Sequence, residues 1–133
     1  DIVIGGLGLF GNVEIAQFKA TNVTAGQQFQ GTFTLHNQSI FKISGIVPDV
    51  KLVIAKSDST PPDELTGTVN STGFKLDPGE MKIIAVSSNA LPGTAVKLNA
   101  SVKVTGTGQL GNQVVEEVEV ELPVQPPPPP PSQ

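Results

Sequence analysis

The first eleven residues, DIVIGGLGLFG, constrain this chain more than any other stretch, because no polar side chain follows Asp1 until Asn12. The apolar side chains of this N-terminal arm are those of Ile2, Val3, Ile4, Leu7, Leu9 and Phe10. Chain ends usually fray into water and are polar, and leaving this arm wet would cost about 25 cal/mol per Å² of apolar surface. The arm therefore needs a place where it is buried.

Three environments could bury the arm. A membrane-spanning helix needs about 20 apolar residues, whereas this run is much shorter and its glycines weaken any helix. The arm can instead form the first strand of its own domain, or it can add a strand to a neighbouring copy of the chain. The glycines favour the neighbouring copy because they permit close backbone approach, but both interpretations stay open at this point.

The composition narrows the classes of partner and chemistry. A chain of 133 residues is long enough for one domain with a hydrophobic core. All eight basic residues are lysines and the net charge is −4, which argues against a nucleic-acid partner. The chain has no cysteine, so disulfides and thiolate metal sites are excluded.

Strand patterns recur along the chain, and no segment keeps the apolar spacing of a helix. The clearest alternation lies at residues 29–36 and 96–104, and further strands are expected at 13–20, 50–55, 65–69, 74–76, 81–86 and 118–122. Segment 40–47 is expected to be irregular or at a sheet edge, because Gly45 interrupts it and Pro48 follows it. Short strands without helices predict an all-β Greek-key β-sandwich over residues 12–124, and the resemblance described below implies that it is immunoglobulin-like.

The last two strands are expected to form a hairpin around a loop at residues 106–112. We expect this hairpin to set Lys97 opposite Glu121 and Asn99 opposite Glu119, so that opposite charges meet on the exposed face. The acidic run before the C-terminus is then a solvated face and not a metal site.

Residues 125–133 form a separate C-terminal tail. Six consecutive prolines occupy positions 126–131, and proline cannot donate to a β-ladder. The tail is predicted to adopt a stiff polyproline II conformation, and we interpret it as a spacer or a packing arm.

One modification motif is over-represented. The sequence N-x-[ST], the acceptor motif for N-linked glycans, occurs at Asn22, Asn37, Asn70 and Asn99, which are four of the seven asparagines. We interpret these asparagines as glycosylation sites, and N-linked glycans imply an extracellular protein.

Candidate catalytic and metal-binding residues are few. His36 is the single histidine, and it falls on the outward face of a predicted strand. Asp58, Asp63 and Glu64 share one loop, but their spacing is not that of a calcium-binding EF-hand. We therefore expect no enzyme activity, no cofactor and no metal site.

The order of motifs in residues 13–124 resembles a known group of domains. A strand FQGTFTLHN is followed by DVKLVIAK, LDPGEMKIIAV and ALPGTAVKLNASVKV. This order is similar to that of the CARDB-type immunoglobulin-like adhesion domains of bacterial and archaeal surface proteins, whose turn of the form leucine–x–proline–glycine–glutamate corresponds to residues 76–80. The resemblance implies the fold and no particular activity.

The two ends lie outside that domain pattern. An apolar, glycine-rich arm ahead of such a domain is similar to the subunits of archaeal extracellular filaments, such as threads and bundling pili, in which each subunit donates its N-terminal strand to the next. This resemblance implies that residues 2–10 form the subunit interface of a homopolymer that is free of nucleic acid and does not span a membrane. The alternative is an adhesion or spacer module of a larger cell-surface protein, with the arm as its own first strand.

Overall fold

A computed structural model describes residues 12–127 of the chain, and the statements below concern this range. It contains eight β-strands: β1 (Val13–Asn22), β2 (Gln28–Asn37), β3 (Ile43–Lys56), β4 (Asp63–Val69), β5 (Phe74–Leu76), β6 (Met81–Ala90), β7 (Ala95–Gly108) and β8 (Gln113–Pro123). No helix occurs among the described residues. The predicted immunoglobulin-like β-sandwich is confirmed.

The strands form two layers that are joined along one long side. One layer has the order β1-β2-β6 and the other has the order β3-β7-β8, with β5 also paired to β3. Strand β4 pairs with β3 through Asp63–Gly67 and then with β6 through Thr68 and Val69, so it crosses from one layer to the other. Gly67 lies at the crossing, where a Cβ atom would come within 2.8 Å of the Val50 side chain.

The core lies between the layers and follows the alternation that the sequence predicts. The fully buried large side chains include Phe29, Phe33 and Leu35 of β2, together with Leu52 and Ile54 of β3. Alternate residues of each strand face inward, because successive side chains of a strand point to opposite sides of the sheet. The alternation is thereby confirmed at residues 29–36 and 98–104, whereas Val96 is 49% exposed and does not share the buried face that the sequence predicts for it.

Strand β1 carries a β-bulge that changes which residues face the core. Its pairing with β2 shifts between Ala16 and Lys19, and Gln17 has a φ of 54°. Before the bulge the odd-numbered Ile15 faces inward, whereas after it Phe18 does so. The Phe18 ring stacks on the buried rings of Phe29 and Phe33, at centroid distances of 6.3 Å in both cases.

The expectation that segment 40–47 is irregular or at a sheet edge is confirmed for residues 40–42 and wrong for residues 43–47. Strand β3 begins at Ile43, continues through Pro48 and lies between β7 on one side and β4 and β5 on the other. Gly45 accommodates a bulge with a φ of 61°. On the side of β3 that faces β4 and β5, Ile46 pairs with β5 and Val50 pairs with β4. Pro48 lies between these two positions and has no partner on that side, so its lack of an N–H breaks no hydrogen bond there.

The register predicted for the last hairpin is also wrong, by two residues. Asn99 pairs with Glu121 and Ser101 with Glu119, because the β7–β8 ladder continues to Thr107 and leaves a shorter loop than expected. Lys97 and Glu121 still form the expected ion pair, now as diagonal neighbours across the two strands, because Lys97 Nζ lies 3.6 Å from Glu121 Oε2.

The two poles of the sandwich differ in which chain ends they carry. Strands β1 and β8 run in the same direction, from the pole that holds Asn12 and the Gly108–Asn112 turn to the pole that holds Thr24 and Gln125. We call these poles the Asn12 end and the Gln125 end.

Candidate functional site

The long side of the sandwich opposite β4 is the candidate site. Among residues 12–127, β1 pairs only with β2 and β8 pairs only with β7, apart from one parallel bridge between Thr24 and Gln125. In that bridge the N–H of Ala25 donates to the Gln125 carbonyl at 2.9 Å, and the N–H of Gln125 donates to the Val23 carbonyl at 2.8 Å. On this side, backbone hydrogen bonds therefore join the two layers only at the Gln125 end among the described residues.

Apolar side chains line the gap between β1 and β8, and we call this gap the seam. It is defined by the inward-facing, half-buried residues Phe18, Ala20, Val23, Val118, Val120 and Leu122. The register partners of Val118, Val120 and Leu122 on the central strand β7 are fully buried, as with Ala100 opposite Val120 and Leu98 opposite Leu122. The inner face of β8 is therefore covered less completely than that of its neighbour.

The seam ends in a hollow beside the bridge. This hollow is about 340 Å³ in volume, and its lining includes Ala20, Val23, Leu122 and Gln125. At the other end of the row, Glu116 faces inward and is half-buried, opposite Val104. Between Glu116 and the bridge, the row offers only apolar side chains.

The arm residues predicted to form the subunit interface, Ile2, Val3, Ile4, Leu7, Leu9 and Phe10, lie outside the described residues. The same holds for the tail from residue 128 onward. Pro126 and Pro127 are described and exposed, whereas Val124 just before them is buried.

The prediction that Asn37 carries a glycan is wrong for the folded chain. Asn37 is fully buried, and its Nδ2 lies 2.9, 3.0 and 3.2 Å from the carbonyls of Phe41, Leu76 and Asp77. Its Oδ1 accepts hydrogen bonds from the N–H and the hydroxyl of Ser39. The motif N-x-S at this position serves a buried side-chain turn, and a sugar on Nδ2 has no room there.

Two of the other three motif asparagines, Asn70 and Asn99, are exposed at least in part. Asn70 directly follows β4 and is exposed, and its Oδ1 accepts a hydrogen bond of 2.9 Å from the N–H of Ala85. Asn99 is half-buried on the outer face of β7. Asn22 ends β1 and pairs with Gln30.

The three acidic residues that the sequence suggests share one loop have separate partners, and two of them, Asp63 and Glu64, belong to β4. Asp63 pairs with Lys56 at 2.9 Å, and Glu64 lies 3.8 Å from Lys51. Hydrogen bonds from the Thr60 side chain, and then from its N–H, hold the pKa of Asp58 below its usual value. Within residues 12–127, no three histidine or carboxylate side chains converge as a metal site would require.

The two outer faces of the sandwich differ in charge. The face of β3, β7 and β8 carries lysines and glutamates such as Lys97 and Glu121, whereas the outer face of β6 exposes Met81 and Ile83. Glu14 and the single histidine, His36, lie 3.6 Å apart near the Asn12 end. The described residues include no helix long and apolar enough to cross a membrane.

Sequence reasoning missed the residues of the seam. The alternation of β8 is visible in the sequence, but it does not tell whether the inner face of the strand is fully buried or half-buried in the folded domain. The β1 bulge was also missed, and the one signal for it is the spacing of Ile15 and Phe18, which breaks strict alternation.

Comparisons with known proteins bear on the fold. No protein-family model and no curated protein sequence matches the chain. Its structure is similar to a PapD-like domain of human CEP192, with 10% identity, a TM-score of 0.59, and coverage of 86% of this chain and 85% of that one.

Two further solved structures show the same likeness. For the GAE domain of GGA2p from Saccharomyces cerevisiae, identity is 16%, the TM-score is 0.55, and 85% and 91% of the two chains are covered. For the E. coli chaperone DraB, identity is 16%, the TM-score is 0.50, and the match covers 87% of this chain and 56% of that one. At these identities the likeness shows the fold alone, and the chain is an immunoglobulin-like module.

Proposed function

We propose that this chain is the structural subunit of an extracellular filament, in which each copy donates its N-terminal arm as a β-strand to the next copy. It resembles the subunits of archaeal threads and bundling pili in this respect, and its role is structural and not catalytic. The proposal unites two features that the immunoglobulin-like fold alone leaves unused, namely an uncharged apolar arm and a sandwich that is open along one side.

The observation that carries the proposal is the half-buried inner face of β8. Val118, Val120 and Leu122 face the interior without full cover, although Leu98 and Ala100 beside them are 0% exposed. Extended segments bind at sheet edges through main-chain hydrogen bonds, while their side chains provide specificity. An edge strand with an exposed apolar inner face is also an aggregation hazard unless something covers it.

The arm has the chemistry that such a seam accepts. Both of its faces are apolar, with Ile2, Ile4 and Phe10 on one face and Val3, Leu7 and Leu9 on the other. Burial of four or five of these side chains contributes about 6–15 kcal/mol before the costs of association and ordering. A polymer held in this way dissociates very slowly.

A charge placed in the arm tests the proposal. We expect Leu7→Asp or Ile4→Asp to abolish assembly and leave a folded monomer, because a carboxylate is costly to bury without a partner. Size-exclusion chromatography and negative-stain electron microscopy of the purified full chain read out the result. Added wild-type arm peptide should bind the monomer.

The matched control is Asp1→Asn, which changes charge at the start of the arm without touching an apolar position and should leave filaments intact. Polymers that persist in both aspartate variants would contradict strand donation. The chain would then act as an adhesion or spacer module with the arm in its own domain.

We also propose that the subunit is N-glycosylated. Asn70 is the best-placed acceptor because it is exposed directly after β4, and Asn99 and Asn22 are further candidates. Peptide mapping of native protein by mass spectrometry should find hexose-containing adducts on at least two of these three asparagines and none on Asn37. A native mass of 13.8 kDa, that of the bare chain, would contradict glycosylation.

A further inference from the structure

We infer that the seam is the acceptor for the arm, and that the arm of a neighbouring copy lies in it parallel to β8, with Phe10 at the Gln125 end and Ile2 toward Val114. This inference rests on the proposed function and adds the location, the direction and the register of the inserted strand. It follows from three features of the described residues, which are the length of the seam, its lining and the directions of β1 and β8.

The arm is long enough to cover the seam. The half-buried inner row of β8 runs from Glu116 to Leu122, which is seven residues, because Val114 before it is 4% exposed and belongs to the core. The apolar part of the arm from Ile2 to Phe10 is nine residues. At roughly 3.3 Å per residue the row extends over about 23 Å and the arm over about 30 Å, so the arm can cover the row along its full length.

The lining of the seam matches the side chains of the arm. The row is apolar except for Glu116, and the arm has no charged residue between Ile2 and Asn12. The largest arm side chain, Phe10, falls at the Gln125 end in this register. The hollow of about 340 Å³ lies at that end, and its lining combines Ala20, Val23, Leu122 and Pro123 with the polar Thr21, Thr24 and Gln125.

The direction follows from the positions of the chain ends. Each arm leaves its own domain next to Asn12, and β1 and β8 both run from the Asn12 end to the Gln125 end. In a head-to-tail polymer the Asn12 end of one copy faces the Gln125 end of the next. The arm then enters beside the Thr24–Gln125 bridge and reaches toward Val114 with its first residues, which makes it parallel to β8.

An arm that folds back onto its own domain has the opposite direction. It starts at the Asn12 end, so Phe10 would lie near Val114 and Ile2 near Leu122, antiparallel to β8. A symmetric exchange of arms between two copies that meet at their Asn12 ends gives the same antiparallel strand and stops at a dimer. Strand direction therefore separates the polymer from both alternatives.

Engineered disulfides measure this direction, and the natural chain has no cysteine to interfere. We expect Ile4→Cys with Glu116→Cys, oxidised with glutathione disulfide after assembly, to give a covalent ladder of multimers on non-reducing gels. Ile2→Cys with Leu122→Cys, the pair that an antiparallel arm would bring together, should give no cross-link. The control pair is Ile4→Cys with Val115→Cys, because Val115 is 50% exposed on the outer face of β8.

Each outcome of the cross-linking decides the question. An internal disulfide in a monomer, or a dimer that does not extend, from the Leu122 pair would overturn the parallel assignment. Filaments that form without any cross-link from the Glu116 or Leu122 pair would show that the seam is not the acceptor. Absence of filaments from the unmodified chain would instead contradict the proposed function.

A complementation experiment tests the seam without cysteines. Val120→Asp should block the acceptor, Ile4→Asp should block the donor because Ile4 shares the arm face of Phe10, and each variant alone should be monomeric. Mixed, they should form a heterodimer that grows no further, because one competent arm meets one competent seam. Val115→Asp, a charge on the same strand but on its outer face, should still form filaments.

Formation of the heterodimer would also show that Val120→Asp is competent, because this variant must present an intact arm in order to donate it. If Val120→Asp is folded by circular dichroism and still polymerises, the seam is not the acceptor. If it does not fold, Val120→Ser takes its place, with assembly expected to slow at least tenfold relative to Val115→Ser. Equal assembly rates for these two serine variants would overturn the inference.

Discussion

The two long sides of this sandwich are closed in different ways. On one side β4 passes from β3 to β6, so a single strand hydrogen-bonds to both layers. On the other side β1 and β8 share no ladder, and the Thr24–Gln125 bridge just beyond their ends is the one backbone pairing there among the described residues. The first side is completed by the fold itself, whereas the second is where we propose that the arm of another copy inserts.

Gly67 gives the largest expected effect and tests the closed side. In Gly67→Ala the new Cβ would lie 2.8 Å from the Val50 side chain and 3.0 Å from Val86. We expect a loss of about 2 kcal/mol in the free energy of unfolding, as for overpacking in a core. Urea unfolding of the Ile4→Asp monomer measures this value.

The control for that substitution is Gly93→Ala, because no heavy atom lies within 4 Å of a Cβ at Gly93. Its unfolding free energy should stay within about 0.5 kcal/mol of the parent. Equal losses at the two glycines would mean that the closed side is packed less tightly than its distances indicate.

Val118→Ala is expected to have a smaller effect and tests the open side. In the monomer Val118 is half-buried, so its truncation should cost about 1 kcal/mol or less. In the polymer the same truncation should cost more, because the arm then covers the side chain. The test compares thermal dissociation of filaments with unfolding of the Ile4→Asp monomer. Equal losses in the two states would show that the arm does not cover Val118.

Deletion of residues 126–133 should have the smallest effect. Pro126 and Pro127 are exposed, and the last bonds of the bridge are those of Gln125. We expect the melting temperature of the monomer to fall by less than about 3 °C, which corresponds to under 1 kcal/mol in a domain of this size. A fall above about 10 °C would show that the tail packs on the domain.

Much of the fold could be predicted from local patterns, and the errors in that prediction have a common cause. The alternation at residues 29–36 and the Asp77–Glu80 turn, in which the N–H of Glu80 donates to the Asp77 carbonyl, are encoded within a few residues. The place of Pro48 inside a central strand and the register of the last hairpin depend on which strands become neighbours. Alternation fixes which side of a strand faces inward and leaves its partners open.

The candidate site was harder to predict for the same reason. The apolar arm shows in the sequence, but the seam arises only when β1, with its bulge after Ala16, lies opposite β8 in the folded domain. Asn37 illustrates the converse, because its motif matches that of a glycan acceptor while the fold uses both Asn37 and Ser39 in a buried turn. A local motif cannot distinguish these uses.

The direction of β1 has a mechanical consequence for a subunit that is joined to its neighbour through its arm. Tension on the filament enters at Asn12 and runs along the axis of β1, at right angles to the hydrogen bonds that β1 makes with β2. These bonds are then sheared together and are not unzipped one after another. At the loaded end, β2 is anchored through Asn37 to the carbonyls of Phe41, Leu76 and Asp77, so the pull is shared with three further segments of the chain.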